Sequence, residues 1–512
     1  MNLRLRPHVE IEARPDGAQL HDRILRNTFE FGPVGAALLT RLDGTRTLAD
    51  LDLSEDEATI LRRLFLLNLV EGAGDGIVAR VRRVLTGEMP LEIHVLEGAR
   101  FQCQGSGECC QNYVFGPLED EDIARLEALP IAEHFPHLAG APLYETSEEH
   151  GFKFRYLKSV EERCVFLEGD RRCGLHRRFG ADSKPALCRL YPIEHIATFD
   201  GLRIFDKGSC ASFAVSSRSG PTLIEDLPRI RSLLPKQPHT LYHPSVIIDE
   251  YPCDFGHFDR FVKVALGLVK TGPGTALETL RAISRGARAF AGVLRTFPLE
   301  AGEPEASIER FLEGGSDRWY EGQPSEDTVS SGAVYYSEIF ASLLMAASNV
   351  LATELPKSGH LSLRLVREAA QLFHLCSAAT SIGVDATLEI GDYLRGALAV
   401  KLTDPTVEEV LRMSMRQQLF GNGSLVGQRF LPALVRIAVT MIMAVVGARL
   451  HAHDDGRTEA RLEDLSWGHM LALRLLNQPQ AMPVLFATED KMTELLEALP
   501  VVLRLDYRLP MP

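Results

Sequence analysis

Lysine is scarce in this sequence, and an excess of positive charge is lacking. Only ten of the 512 residues are lysine, the first being Lys153, and we attribute the resulting bias toward arginine to codon usage. The chain has 55 Lys+Arg against 69 Asp+Glu, which gives a formal net charge of −14. A general nucleic-acid binder needs a basic surface that neutralises phosphates. The composition therefore argues against nucleic acid as a partner.

Long hydrophobic runs are absent as well. The longest apolar stretch, residues 437–448, lies between Arg436 and Arg449, and its length falls short of the roughly 20 apolar residues that cross a bilayer. We expect a buried core helix there and no membrane span. The first nine residues, MNLRLRPHV, are too polar to form the apolar segment of a signal peptide. We therefore expect a cytoplasmic protein in a reducing compartment.

Cysteine, in contrast, is concentrated in one part of the chain. Seven of the nine cysteines lie within 108 residues; they are Cys103, Cys109, Cys110, Cys164, Cys173, Cys188 and Cys210. In a reducing compartment such a group indicates metal ligands more than disulfides. This concentration predicts three domains, with boundaries at 1–90, 91–215 and 216–512.

The spacing of these cysteines defines the candidate metal ligands. It reads C-x5-C-C from Cys103, C-x8-C from Cys164, and then 14 and 21 intervening residues before the last two cysteines. Converging thiolates in proteins usually hold zinc or an iron–sulfur cluster. The adjacent pair Cys109 and Cys110 cannot both face one metal without strain. We expect one of them to bind the metal and the other to pack beside it.

These cysteine blocks resemble the CxxCxxCC family, a zinc- or iron-chelating cysteine-cluster family. Within that group they are similar to the FliB-like flagellin lysine N-methylases, which share the order Cys164-Val-Phe-Leu, Cys173, Gly180-Ala181, Cys188 and Cys210. One position departs from the family motif, because Ser106 stands where the first block has its second cysteine. Serine is a poor ligand for iron, so either that position lies outside the ligand set or the cluster is altered.

The resemblance implies a [4Fe–4S] cluster and transfer of a methyl group from S-adenosyl-L-methionine to a lysine side chain. Six or seven cysteines remain, which exceeds the four that a cluster needs. The alternative is a zinc site that only holds the middle domain together. The sequence identifies no catalytic residue and no S-adenosylmethionine-binding residue. In particular, it contains no CxxxCxxC motif of the kind that binds this cofactor to a cluster.

The first 90 residues predict a small α+β module of winged-helix type. Apolar and polar residues alternate over 8–13, 19–25 and 28–31, which is typical of short strands. Pro33 then begins an apolar helix. Ser54 and Glu57 have the spacing of a capping box at the start of a second helix.

The order of these elements resembles a PqqD-like peptide-recognition domain. In that family a strand of the module pairs with the leader segment of a precursor peptide, a binding mode in which main-chain hydrogen bonds supply affinity. The expected peptide-binding residues are Phe31 on the strand and Arg62 and Arg63 on the second helix. The alternative is a module that only packs against its neighbour.

The remainder of the chain predicts a helical bundle. Apolar residues recur at three- and four-residue spacing over seven segments: 255–269, 275–294, 337–351, 361–376, 406–419, 430–450 and 462–476. Residues 301–329 are acidic and glycine-rich and predict an exposed connection. The expected fold class is therefore mainly α, with a small α+β module at the front.

Taken together, these features predict an iron–sulfur enzyme that modifies a ribosomally made precursor peptide, with lysine N-methylation as the expected reaction. The alternative, from a different functional class, is a non-catalytic zinc- or iron-binding adaptor that presents the peptide to another enzyme.

Overall fold

The chain folds into a mainly helical protein with small sheets near its front and middle, as expected. The computed structural model describes residues 2–24, 27–71, 83–84, 88–111, 115–149, 152–160, 163–198, 201–234, 245–247, 252–253, 255–299, 304–332, 396–397, 399–421, 429–476 and 488–502.

The front module combines two small sheets with two helices. Its strands are β1 (Asn2–Arg4), β2 (Val9–Arg14), β3 (Gly17–Asp22), β4 (Asn27–Phe31) and β5 (Asp43–Thr47). Its helices are α1 (Pro33–Arg41) and α2 (Glu55–Leu66). One antiparallel sheet has the order β2-β3-β4, and β1 pairs with β5. The three strands predicted from alternation are confirmed. The β1–β5 pair was not predicted, because β1 has only three residues and β5 (DGTRT) contains no apolar residue.

Helix α2 begins at the predicted capping box. The amide of Glu57 donates to Ser54 Oγ (3.3 Å), and Ser54 N donates back to Glu57 Oε2 (3.0 Å). The buried face of α2, with Leu61, Leu64 and Phe65, joins a hydrophobic core that continues into the helices at the rear of the chain. The front module is therefore packed on the bundle through a shared core.

The middle of the chain holds the cysteines between short elements. Its strands are β6 (Ile93–Val95), β7 (Tyr144–Glu149), β8 (Phe152–Leu157), β9 (Ser159–Val160), β10 (Arg163–Cys164), β11 (Ile193–Thr198) and β12 (Gly201–Asp206). Its helices are α3 (Asp120–Glu127), α4 (Ile131–His134), α5 (Gly174–Phe179) and α6 (Ala186–Leu190). Strand β12 is the centre of the sheet β11-β12-β6, and all six of its residues are buried.

The rear portion is a helical bundle. Its helices are α7 (Phe213–Ser216), α8 (Leu227–Leu233), α9 (Phe255–Thr271), α10 (Ala276–Thr296), α11 (Glu305–Glu313), α12 (Val407–Gly421), α13 (Phe430–Asp454), α14 (Leu462–Leu476) and α15 (Glu489–Val502), with the short strand pair β13 (Ser245–Val246) and β14 (Pro252–Cys253). Five of the seven predicted helices are confirmed as α9, α10, α12, α13 and α14. The predicted helices at 337–351 and 361–376 lie outside the described residues.

The expectation of an exposed connection over 301–329 is wrong for residues 304–320, whereas residues 321–327 are mostly exposed. Helix α11 buries Ile308 and Phe311, and Trp319 is only 4% exposed. The indole stacks on Phe261 and Phe311, with ring centroids 5.5 and 5.9 Å apart. Aromatic burial of this kind outweighs the acidic composition of the segment.

Helix α13 forms the centre of the bundle. Among the described residues it is the one helix long and apolar enough to cross a membrane. However, 83% of its most apolar 18-residue stretch is buried inside the protein. It packs as the core helix that the sequence predicted. Its neighbour α14 approaches so closely that a Cβ added to Gly468 would lie 2.3 Å from Ala444 O.

This close helix contact gives a test of the packing. Gly468→Ala should lower the free energy of unfolding by about 1–3 kcal/mol, because the new methyl group forces the two helices apart. Gly267→Ala is the matched control: Gly267 is helical and exposed, and an added Cβ meets no atom within 4 Å. There the gain in helix propensity should raise stability by up to about 1 kcal/mol. The free energies of unfolding are measured by chemical denaturation, and an equal change in the two variants would contradict this close packing of α13 and α14.

Candidate metal centre

The first cysteine block contacts the segment that carries Cys164 and Cys173. Gly107, at φ +73°, lies so close to the loop before Cys173 that an added Cβ would be 1.9 Å from Arg171 O. Gln111 forms an isolated antiparallel bridge with Arg163, the residue before Cys164. A glycine is required at this approach because any side chain would collide with the backbone. Cys109 and Cys110 are thereby brought to the second block.

The other end of the first block lies beside the segment that follows Cys210. Gln102 N donates to Ser216 O (3.1 Å), and Gln104 Nε2 donates to Ser219 Oγ (3.3 Å). Cys103, between these two residues, is exposed. The first block therefore spans the distance between the Cys164 segment and the Cys210 segment.

Cys188 is held between the same elements by helix α6. At the start of α6, Ala186 N donates to both carboxylate oxygens of the buried Asp122, each at 3.0 Å. After the helix, Tyr191 Oη donates to Ser209 O (2.6 Å), the residue before Cys210. The tyrosine links the Cys188 helix to the Cys210 loop.

The seven predicted cysteines are thus gathered into one region. Burial and the neighbouring thiols raise the pKa values of several of them. Desolvation raises the pKa of Cys164 to about 12, and the charges of Cys173 and Cys109 act in the same direction. Desolvation likewise raises the pKa of Cys210 to about 12, with Asp206 and Cys109 as further charged neighbours.

Cys188 and Cys110 follow the same pattern. Burial raises the pKa of Cys188 well above its ordinary value. The pKa of Cys110 is raised first by its contact with Cys109, whose sulfur lies 3.9 Å away, and then by burial. Thiols packed in this way stay protonated unless a cation stabilises their charged form, and a bound metal ion reverses their preference. The chemistry of this donor set therefore fits a soft, thiolate-binding metal.

Lys184 lies among these thiols, and the sequence reasoning missed it. Burial alone would lower its pKa, but the charges of Cys188, Cys173, Cys109 and Cys103 hold the pKa above its ordinary value. The signal was available in the sequence, since Lys184 is one of only ten lysines and stands four residues before Cys188. An ammonium group at this position stabilises negative charge on the surrounding sulfurs.

One group of three potential metal-ligand atoms within 4.8 Å of one another lies away from the cysteines, at His451, Asp455 and Asp464.

The group at His451 is explained by hydrogen bonding within the bundle. Asp464 accepts two bonds from the Arg457 guanidinium (2.6 and 2.7 Å), one from Arg461 N (2.7 Å) and one from His451. The positive charge of Arg457 satisfies this carboxylate and fixes the start of helix α14 against the end of α13.

The two remaining cysteines, Cys253 and Cys376, do not belong to the seven that cluster in the sequence. Cys253 is fully buried in β14, on the strand that packs against α2. Cys376 lies outside the described residues.

The expected peptide-binding residues lie on two elements of the front module, strand β4 and helix α2. Phe31 ends strand β4 and is half-buried. Arg62 is half-buried and its Nε donates to Phe297 O (3.2 Å), just after helix α10. Arg63, on the same helix, is also half-buried. Helix α2 thus turns Arg62 toward the bundle, and peptide binding by Phe31, Arg62 and Arg63 stays a prediction.

A cluster of buried and half-buried thiols from four segments, with the exposed Cys103 at one end and a lysine among them, is typical of a thiolate metal-binding domain. Residues 102–203 match the model of the CxxCxxCC family, whose description reads "Putative zinc- or iron-chelating domain". This match covers six of the seven clustered cysteines and supports metal binding by the middle of the chain. No curated protein and no solved structure matches the chain.

The cysteine cluster predicts which thiols the metal requires. Cys164→Ala should lower the iron or zinc bound per chain by at least half, because a thiolate ligand is lost from a folded site. Cys253→Ala removes an equally buried thiol outside the cluster and is the matched control, in which metal content should stay at the wild-type level. The measurement is elemental analysis of the full chain purified without air. Equal metal content in both variants would place Cys164 outside the site.

Proposed function

We propose that this protein is an iron–sulfur enzyme that methylates a lysine of a precursor peptide held by its front module. The observation that carries the proposal is the gathering of seven cysteines from separate segments into one region beside Lys184. Seven cysteines exceed the four ligands that either a zinc ion or a [4Fe–4S] cluster needs. The preference for a cluster therefore comes from the resemblance to the FliB-like family.

The proposed metal centre is an iron–sulfur cluster, as the resemblance to the FliB-like family implies. Iron with acid-labile sulfide, at roughly four of each per chain, is the expected composition. Stoichiometric zinc without sulfide, in protein made with ample iron, would contradict this part of the proposal.

The reaction rests on the resemblance to the FliB-like lysine N-methylases. In that reaction the lysine ε-amine attacks the methyl carbon of S-adenosylmethionine, the sulfur–methyl bond breaks and a nitrogen–methyl bond forms. The amine loses one proton, and S-adenosylhomocysteine leaves. The departure at Ser106, half-buried in the first block, is compatible with this reading because six clustered cysteines still lie within the matched region.

The front module contributes an exposed strand edge for the peptide. In the described part of the chain, β4 pairs only with β3, and β2 lies at the opposite edge of that sheet. Arg14 and Gly17 close a two-residue hairpin loop, so their main-chain groups pair with each other. By alternation, the main-chain N–H and C=O groups of Phe29 and Phe31 bond to β3, and those of Thr28 and Glu30 point away from β3.

An edge of this kind attracts another strand unless it is protected. The side chains of Thr28 and Glu30 are exposed, and Val34, just beyond the strand, is 47% exposed. We assign this edge, with Phe31 at its end, to the precursor peptide. Since Arg62 is occupied with the bundle, main-chain pairing carries more of the binding than charged groups on α2.

The proposed reaction is tested by incubating anaerobically purified full chain with S-adenosylmethionine and synthetic copies of the short peptides encoded beside its gene. A mass increase of one or more methyl groups on a peptide lysine, lost in Cys164→Ala and kept in Cys253→Ala, is the expected result. A peptide that binds tightly but is never methylated would favour the non-catalytic adaptor instead.

The strand edge is tested by placing proline at matched positions on the two edges. Thr28→Pro removes an outward main-chain donor of β4 and should weaken binding of a labelled peptide at least tenfold, whereas Ile11→Pro does the same on β2 and should leave binding unchanged. Fluorescence anisotropy with the full chain gives the dissociation constants, and thermal unfolding confirms that both variants fold. Equal dissociation constants for the two variants would exclude the β4 edge as the peptide-binding site.

A further inference from the structure

The loop that carries Cys210 also carries a buried carboxyl group with an unsatisfied oxygen. Asp206, the last residue of β12, is 0% exposed. Its main-chain amide donates to Gln417 Oε1 (2.9 Å), and its Oδ1 accepts from Gly208 N (2.7 Å). Its second oxygen, Oδ2, has no hydrogen-bond partner among the described residues. An isolated carboxyl oxygen in the interior is costly unless a proton donor or a cation satisfies it.

A second unsatisfied oxygen stands beside it in the same loop. Ser209 is 7% exposed, and its Oγ likewise has no partner in the described part of the chain. The next residue is Cys210, itself 8% exposed. Within five consecutive residues the loop thus buries a carboxylate oxygen, a hydroxyl and a thiol.

Electrostatic interactions link this loop to the cysteine region. The charge of Asp206 acts on the Cys210 thiol, as does the charge of Cys109 from the first block. Burial raises the pKa of Asp206 to about 7. Protonation alone does not satisfy the group, since a hydroxyl on Oδ2 would still need an acceptor.

The position of this loop is fixed from the bundle side. Gly208 adopts φ +75°, and an added Cβ would lie 2.8 Å from His469 Cε1. His469 Nδ1 donates to Gly208 O (3.0 Å), which leaves its Nε2 to accept from Ser414 Oγ (2.5 Å). Burial lowers the pKa of His469 to about 4, so the ring is neutral and holds this bonding pattern. These contacts hold the loop in one conformation.

We propose that Asp206 supplies an oxygen ligand to the metal centre, next to the sulfur of Cys210. Carboxylate oxygen joins thiolates as a ligand of zinc and of iron, and a cation at Oδ2 neutralises the Asp206 and Cys210 charges together. The assignment rests on the proposed metal centre and adds to it a ligand that is not a cysteine. It also explains why a carboxyl group is retained at a fully buried position.

The test compares Asp206→Asn, Asp206→Cys and the neighbouring control Ser209→Ala with wild-type full chain, all purified without air. Iron, sulfide and zinc per chain, the electron paramagnetic resonance spectrum and the rate of metal loss to a chelator are measured. Asp206→Asn keeps the shape of the side chain but removes the charged oxygen, and it should speed metal loss at least tenfold. Asp206→Cys should keep the metal and change its spectrum, because a thiolate replaces the oxygen. Ser209→Ala should match wild type.

The outcomes separate this inference from the proposed function. Asp206→Asn with wild-type metal content, spectrum and loss rate would overturn the inference and leave the metal centre standing. Wild-type protein that binds neither iron nor zinc would overturn both. If Asp206→Asn fails to fold by circular dichroism, Asp206→Cys decides alone: a changed spectrum supports the ligand, and a wild-type spectrum or a folded, metal-free protein rejects it.

Discussion

The burial of several thiols beside one another is the constraint on which the middle of this protein depends. Each thiolate is disfavoured by desolvation and by the charge of its neighbours, as at Cys164 and Cys188. A chain that gathers such groups must either keep them protonated or supply positive charge. Lys184 supplies one such charge from the protein itself, and zinc or iron supplies more. The short strands and helices around the cluster hold these groups together.

The same constraint explains why the cysteine region is connected so closely to the bundle. The Cys210 loop is fixed by His469 on α14 and Ser414 on α12, and Asp206 N is bonded to Gln417. A site built from distant segments needs such external support, because the segments share few local contacts. The bundle thus acts as the rigid support that places one cysteine and one carboxylate beside the others.

The front module shares its hydrophobic core with the bundle. Helix α2 contacts both α10 and β14, and Arg62 bonds across this contact to Phe297 O. A peptide bound at the β4 edge would therefore be held by a module that is packed on the bundle.

The sequence by itself determined the features that depend on neighbouring residues. Helix α14 spans the predicted residues because apolar spacing is local, and α2 begins at Ser54 because its capping box needs only four residues. The clustered cysteines were likewise visible from their spacing. Only the tertiary structure decided that Lys184 lies among the thiols, that Arg62 faces the bundle and that Trp319 is buried in an acidic segment. Each of these depends on residues far away in the chain, and no local pattern encodes which distant surfaces will meet.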